Sequence, residues 1–199
     1  MRSIAALLAC TVLPFVPGAA ADQAPRVIAT IPPVHALAAE VMAGRGEPEL
    51  LVRGNASPHG YQLRPSDARA LQEADVIIRI GPALESFLER PLMMAPKGIQ
   101  VITLMEAPGV RILPAREGGV WSLEADGVDH DHDAAEEHAA EPHDHGPDDA
   151  HIWLSPRNAQ AMVDAIAQGL AAADPDHGAL YLQNAARARA DLAALDQEL

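Results

Sequence analysis

Four short apolar runs alternate with stretches of helical period along the first half of this chain, and that alternation leaves few folds open. Arg26-Val27-Ile28-Ala29-Thr30-Ile31 is rich in β-branched residues and is stopped by Pro32-Pro33. Glu49-Leu50-Leu51-Val52, Val76-Ile77-Ile78-Arg79-Ile80 and Gln100-Val101-Ile102-Thr103-Leu104 follow, the third stopped by Gly81-Pro82. Runs this short and this continuous read as buried strands. Between them, Val34 to Met42 carries apolar residues at helical spacing and ends at Gly44, and Leu84 to Leu92 also reads as helix. Pro65-Ser66-Asp67 opens a further helix reaching about Ala74, with Ser66 as its expected cap and Asp67 at the positive end of its dipole. Strands alternating with helices indicate a parallel sheet with crossover helices. The expected fold is α/β, a domain with a parallel four-stranded sheet and crossover helices.

The second half is helical. Ser155-Pro156 is a strong start, a capping serine with proline at the first helical position, and the helix should end near Asp174-Pro175, where the same logic starts another. In that last helix Tyr181, Ala185, Ala188, Leu192, Leu195 and Leu199 make one apolar stripe, with no Gly, Asn or Pro terminator at its end. A stripe needs something to pack on. The expectation is a fragment that stops inside a long helix, with pairing to another subunit as the alternative. The organisation is then 22–174 as the lobe and 175–199 as the start of the long helix.

Between the halves lies a tract of alternating histidines and carboxylates. Six of the nine histidines fall within Asp129 to His151. His130, His132, His138, His143 and His145 stand among Asp129, Asp131, Asp133, Asp144, Asp148 and Asp149. Imidazole suits zinc, copper, nickel and iron, and nearby carboxylates concentrate cations, so the tract points to a transition metal. The bland alternative is a solvated acidic loop that happens to carry histidines. The segment 124–149 holds 11 acidic residues and no Lys or Arg; without it the chain has 17 acidic against 14 basic residues. The net charge of −14 is thus local and says little about the rest of the surface. No basic cluster exists, which argues against nucleic acid. The tract is too poor in large apolar side chains to offset chain entropy and is expected to be disordered without metal.

The N-terminus reads as a secretory signal, residues 1–21, with Arg2, an apolar core from Ile4 to Val16, and small residues before a cleavage point at Ala21. That core is too short to span a membrane. A lipoprotein reading of Leu7-Leu8-Ala9-Cys10 leaves very little apolar chain before the cysteine. Cys10 is the only cysteine, so cleavage at Ala21 leaves His, Asp and Glu as the only metal ligands.

Two further histidines stand in defined contexts. His59 lies in Ser57-Pro58-His59-Gly60-Tyr61-Gln62-Leu63-Arg64-Pro65-Ser66-Asp67, a loop just past a predicted strand. In open α/β sheets, ligands bind outside the carboxyl ends of strands. His151 lies in His151-Ile152-Trp153-Leu154-Ser155-Pro156, just before a capped helix. Each alone is weak, since a lone loop histidine is more often a surface or hydrogen-bonding residue. His35 is expected to be a cap or surface residue near the cleft, and His177 a solvent-exposed turn residue. Arg64 and Asp67 are expected to form a local ion pair that fixes the loop of His59.

Taken together, these two segments, with Ala74-Asp75-Val76-Ile77-Ile78, Gly81-Pro82, Glu85-Ser86-Phe87 and the intervening His/Asp tract, resemble the zinc-specific substrate-binding proteins of bacterial ABC transporters. The likeness runs from about Arg26 to Leu199. It implies two α/β lobes joined by one long helix, with metal held between them. It further implies that His59 and His151 are ligands and that the remaining ligands come from a second lobe absent from this chain. Some members carry Glu beside the first histidine, but Pro58 stands there here. On this likeness the chain is a periplasmic receptor that captures Zn²⁺ for a membrane permease, meets the membrane only through it, and catalyses nothing. The His-rich loop is a weaker zinc collector or sensor. The alternative is a periplasmic metal buffer or chaperone whose tract is the whole site. A zinc hydrolase is disfavoured, since no His-Glu-x-x-His helix occurs.

Overall fold

The computed structural model describes residues 23–115 and 148–199. Residues 1–21, expected to be a secretory signal, and His130, His132, His138, His143 and His145 lie outside them. Four strands, β1 (Val27–Ala29), β2 (Glu49–Leu50), β3 (Val76–Arg79) and β4 (Gln100–Thr103), form one wholly parallel sheet in the order β2-β1-β3-β4. Helices α1 (Pro32–Met42), α2 (Pro65–Glu73), α3 (Glu89–Met93), α4 (Pro156–Ala173) and α5 (Gly178–Glu198) cover it. The expected α/β lobe is present.

The period of two along each strand divides the sheet between two cores. Val27, Ala29, Val76, Ile78 and Ile80 join Val34, Ala38, Val41, Met162, Ile166 and Leu170 on one face, beneath α1, α4 and α5. Ile28 and Ile77 join Leu51, Leu71 and Leu88 on the other, beneath α2 and the approach to α3. Both faces are buried, which is why the strands read as unbroken apolar runs. Each fully buried Ile or Leu contributes about 1.5–3 kcal/mol over its exposed state. Helix α4 lies very close to β4 at Gly169, where a Cβ would collide with Ile102 Cδ1.

Three helices in the first half differ from those expected, and proline explains each. Helix α1 begins at Pro32 rather than Val34, because prolines are tolerated in a first turn whose N–H groups have no helical partner. Helix α2 starts at Pro65, so the cap is Arg64, and Ser66 sits inside the first turn. The stretch Leu84 to Leu92 is not one helix. It makes a 3-10 turn at Ser86–Leu88 and restarts as α3, which leaves Pro91 in a first turn where its missing N–H is harmless.

The long helix α5 is fastened to the lobe by polar groups. Asn184 is buried and donates to the carbonyls of Val41 and Ala43, each at 2.9 Å, which satisfies the free C-terminal end of α1. The Asp174 carboxylate, at the end of α4, receives Arg45 Nε at 2.9 Å, the Tyr181 hydroxyl at 2.8 Å and His177 Nδ1 at 3.0 Å. His177 is therefore a half-buried partner of Asp174 and not the solvent-exposed turn residue expected from sequence. Burial pushes the Asp174 carboxyl up, but the bonds from Arg45, His177 and Tyr181 outweigh it and hold its pKa at about 2. Burial and the same carboxylate push Tyr181 up to about 12. Along the stripe, Tyr181, Ala185 and Ala188 are buried and Leu192 packs against the core, while Leu195 and Leu199 are exposed.

A lowered carboxylate pKa means that the unfolded chain takes up protons first as pH falls. The stability that Asp174 contributes is full above its ordinary value of 3.8 and drains away between there and about pH 2. Asp174→Asn should be less stable at pH 7 and should lose that part of the acid limb, as read by urea unfolding at stepped pH.

Candidate metal centre

The parallel sheet sends its strand ends, and hence its following loops, to one edge. After β2 the chain reaches a 3-10 turn at Pro58–Gly60 that holds His59 half-buried, its backbone N–H donating to Ser57 Oγ at 3.3 Å. After β3 the loop Gly81-Pro82-Ala83 comes to the same edge. His151 caps a 3-10 turn at Ile152–Leu154 that leads into α4, whose own cap is Ser155, accepting from Asn158 N–H. The His59 and His151 rings stand 5.6 Å apart, centre to centre, tilted by 47°. Together with Ala83, Ala115, Asp148, Asp149 and Ala150 they line a cavity of about 260 Å³. The structure thus brings together two histidines separated by 92 positions of chain.

Their spacing suits one shared ion. With Zn–N bonds of about 2.0–2.1 Å at a tetrahedral centre, two imidazoles hold their ring centres roughly 5 Å apart. Among the described residues no group of three or more His, Cys, Asp or Glu is placed to hold a metal, so the two histidines by themselves could supply only part of a donor set. His35 lies outside it; its Nε2 donates to the Pro48 carbonyl at 2.9 Å.

The Arg64–Asp67 contact is made, but not by the two side chains. Asp67 is buried and accepts from the Arg64 backbone N–H at 2.9 Å and the Tyr61 hydroxyl at 2.9 Å. Burial raises the Asp67 pKa, and the bonds from Arg64 and Tyr61 more than reverse that, leaving it below the usual carboxylate range. Tyr61 also stacks edge-on against Phe87, so Asp67 ties the His59 loop to the start of α2 and to the core. The guanidinium of Arg64, expected to pair with Asp67, sits on an exposed residue.

Three polar residues escaped sequence reasoning. Glu85 is fully buried and accepts from Thr30 Oγ1 at 2.6 Å, Ile80 N–H at 3.0 Å and Gly81 N–H at 2.8 Å. It locks the loop after β3 to the end of β1. Burial raises its pKa against the opposing pull of those donors. Asn158 is buried and clamps the chain on both sides of the His tract, accepting from Arg111 N–H at 2.8 Å and donating to the carbonyls of Arg111 and Ile152. Asp149 is the third: its Oδ1 lies 2.9 Å from the His151 backbone nitrogen and 2.7 Å from His151 Nδ1. Sequence reasoning counted it with the tract and placed the return of order at His151. The described chain instead already pairs at Asp148, bridged to Pro114, with Asp149 N–H donating to the Leu113 carbonyl at 2.8 Å.

Residues 27–199 match the family described as zinc-uptake complex component A, periplasmic. The chain belongs to this family. It is 39% identical over 203 residues to the high-affinity zinc uptake system protein ZnuA of Paracoccus denitrificans, covering 98% of this chain and 61% of that one. It is 36% identical over 194 residues to ZnuA of Brucella abortus, covering 87% of this chain and 56% of that protein. The chain therefore spans little more than half the length of these relatives. Its fold is similar to Zn(II)-bound AdcA from Streptococcus pneumoniae, with TM-score 0.68 and 22% identity over 88% of this chain and 32% of that one. It is also similar to a Mn-bound periplasmic metal-binding protein from candidatus Liberibacter asiaticus, with TM-score 0.64, 21% identity and coverage of 84% and 52%. Among the described residues no helix is long and apolar enough to cross a membrane.

Because Asp67 bonds the backbone of Arg64 and the side chain of Tyr61, Asp67→Ala should cost about 1–3 kcal/mol in urea unfolding. Arg64→Ala keeps the bonded N–H and should stay within about 0.5 kcal/mol of wild type.

Proposed function

We propose that this chain is the N-terminal half of a zinc receptor that captures Zn²⁺ outside the cytoplasm and hands it to an ABC-type permease. The observation that carries the reading is the convergence of His59 and His151 at the sheet's carboxyl edge, in a chain whose relatives are named high-affinity zinc uptake proteins. Neutral imidazoles are good zinc donors, and no thiolate competes in a chain cleaved at Ala21. Tetrahedral zinc takes four ligands, so the His59–His151 pair supplies half and other groups complete the site. Arg64 and Asp67 serve by fixing the loop of His59, Asp67 through its side chain and Arg64 through its backbone.

The His-rich tract, with His130, His132, His138, His143 and His145, is proposed to collect zinc at weaker sites. Its support is that the described chain on either side, at Ala115 and Asp148, lines the cavity of the histidine pair. Weak donors in the same chain as a tight site raise the local zinc concentration without forming one fixed site.

Zinc titration against a competing chelator tests both parts in the natural full-length protein. His59→Ala and His151→Ala should each weaken the tight site by roughly 100-fold or more, exceeding the 10–100-fold typical of supporting residues. Deleting residues 129–145 should lower the number of zinc ions bound and leave the tight site intact. Tight binding that survives both alanine variants and disappears with the deletion would establish a metal buffer instead.

A further inference from the structure

We infer that Asp149 is a positioning residue for zinc capture, holding the tautomer of His151 that presents Nε2 to the metal. This rests on the reading of His59 and His151 as zinc ligands. A neutral imidazole carries one proton and offers one lone pair, and the free ring populates both tautomers. Asp149 Oδ1 lies 2.7 Å from His151 Nδ1. A carboxylate can only accept, so Nδ1 carries the proton and the lone pair is left on Nε2. The opposite tautomer would leave its lone pair on Nδ1, against the carboxylate and unavailable to metal.

The carboxylate is well placed to enforce this. The same Oδ1 accepts from the His151 backbone N–H at 2.9 Å, which closes a tight turn through Ala150. Ala150 is buried in the main core, so the turn is pinned at its middle. The Asp149 backbone N–H donates to Leu113, and Asp148 bridges Pro114, so the turn is also pinned to the outgoing chain. On its other sides the His151 ring meets Trp153, with ring centres 5.2 Å apart, and His59. Both members of the Asp149–His151 pair are about half exposed, with side-chain exposures of 40% and 45%. An ion-pair-like contact that open adds little to folding, so what it controls is which nitrogen faces the metal. A metal-bound histidine whose second nitrogen donates to a carboxylate is held in orientation and made more basic, and such partners typically change metal affinity by about 10–100-fold.

The test is a pair of measurements on the natural full-length protein. In metal-free protein labelled with ¹⁵N-histidine, the imidazole ¹⁵N shifts report which nitrogen of His151 is protonated, whether or not zinc is a ligand. The Nδ1–H form is expected in wild type and in Asp149→Asn, whose amide oxygen still accepts, and a mixture in Asp149→Ala. Zinc affinity should fall about 10–100-fold in Asp149→Ala and recover most of the way in Asp149→Asn. An Nε2–H ring in wild type, a tautomer unmoved by Asp149→Ala, or wild-type affinity in Asp149→Ala overturns the assignment. If His151→Ala loses zinc while Asp149→Ala does not, the positioning role alone falls. If His151→Ala binds as wild type does, the receptor reading falls and takes this role with it.

Discussion

The parallel ladder of the sheet is the constraint from which the rest of this lobe follows. A strand that must pair in parallel with its neighbour has to return the chain to its starting edge through a crossover, here a helix each time. Every loop that leaves a strand therefore emerges at the same edge. The order β2-β1-β3-β4 sets the loop after β2, which carries His59, near the loop after β3, which carries Ala83. The chain beyond β4 and its return at Asp148 close the same cavity. Two histidines far apart in sequence meet because the loop after β2 and the chain returning at Asp148 are both held at this edge.

Around that edge the lobe uses buried polar side chains as fasteners. Glu85, Asp67, Asn158 and Asn184 are each nearly or wholly buried, and each satisfies backbone groups where the chain turns: Ile80 and Gly81, Arg64, Arg111 and Ile152, Val41 and Ala43. Leaving such backbone groups unpaired in the interior would cost about 1–3 kcal/mol each. Burial raises the pKa of Glu85, yet three donors in place favour its charged form and limit that rise. The proposed metal ligand His151 and its partner Asp149 are treated in the opposite way. His151 and Asp149 are about half exposed, where the ring can meet an incoming ion. Rigid support under an open pair of histidines is what the proposed capture and release of an ion would require, since ligands must be held in geometry without being closed off.

The long helix follows the same division between fixed and free. Near its start, Tyr181 and Asn184 bind it to α4 and α1. Farther along, the apolar stripe outruns the lobe, and Leu195 and Leu199 are exposed. The stripe's period belongs to the helix, but its burial depends on how far the sheet and its covering helices extend beneath it.

Much of this was legible in the sequence because local chemistry decided it. β-Branched runs between helical stretches settled an α/β lobe and Ser155-Pro156 settled the start of α4, whereas His59 and His151 were each weak signals alone and were paired only by the family likeness of their flanks. Proline moved the helix starts by a residue or two, through its missing N–H and fixed φ. What only the tertiary structure decided was partnership. Asp67 bonds the backbone of Arg64 and the hydroxyl of Tyr61 instead of a guanidinium, and His177 turns inward to Asp174. Asp149, one carboxylate among many in an acidic stretch, is singled out only because its oxygen lies 2.7 Å from His151 Nδ1. Sequence periodicity records which face of an element is apolar. It does not record which polar atom another segment will set opposite, because that depends on distances the whole fold must close.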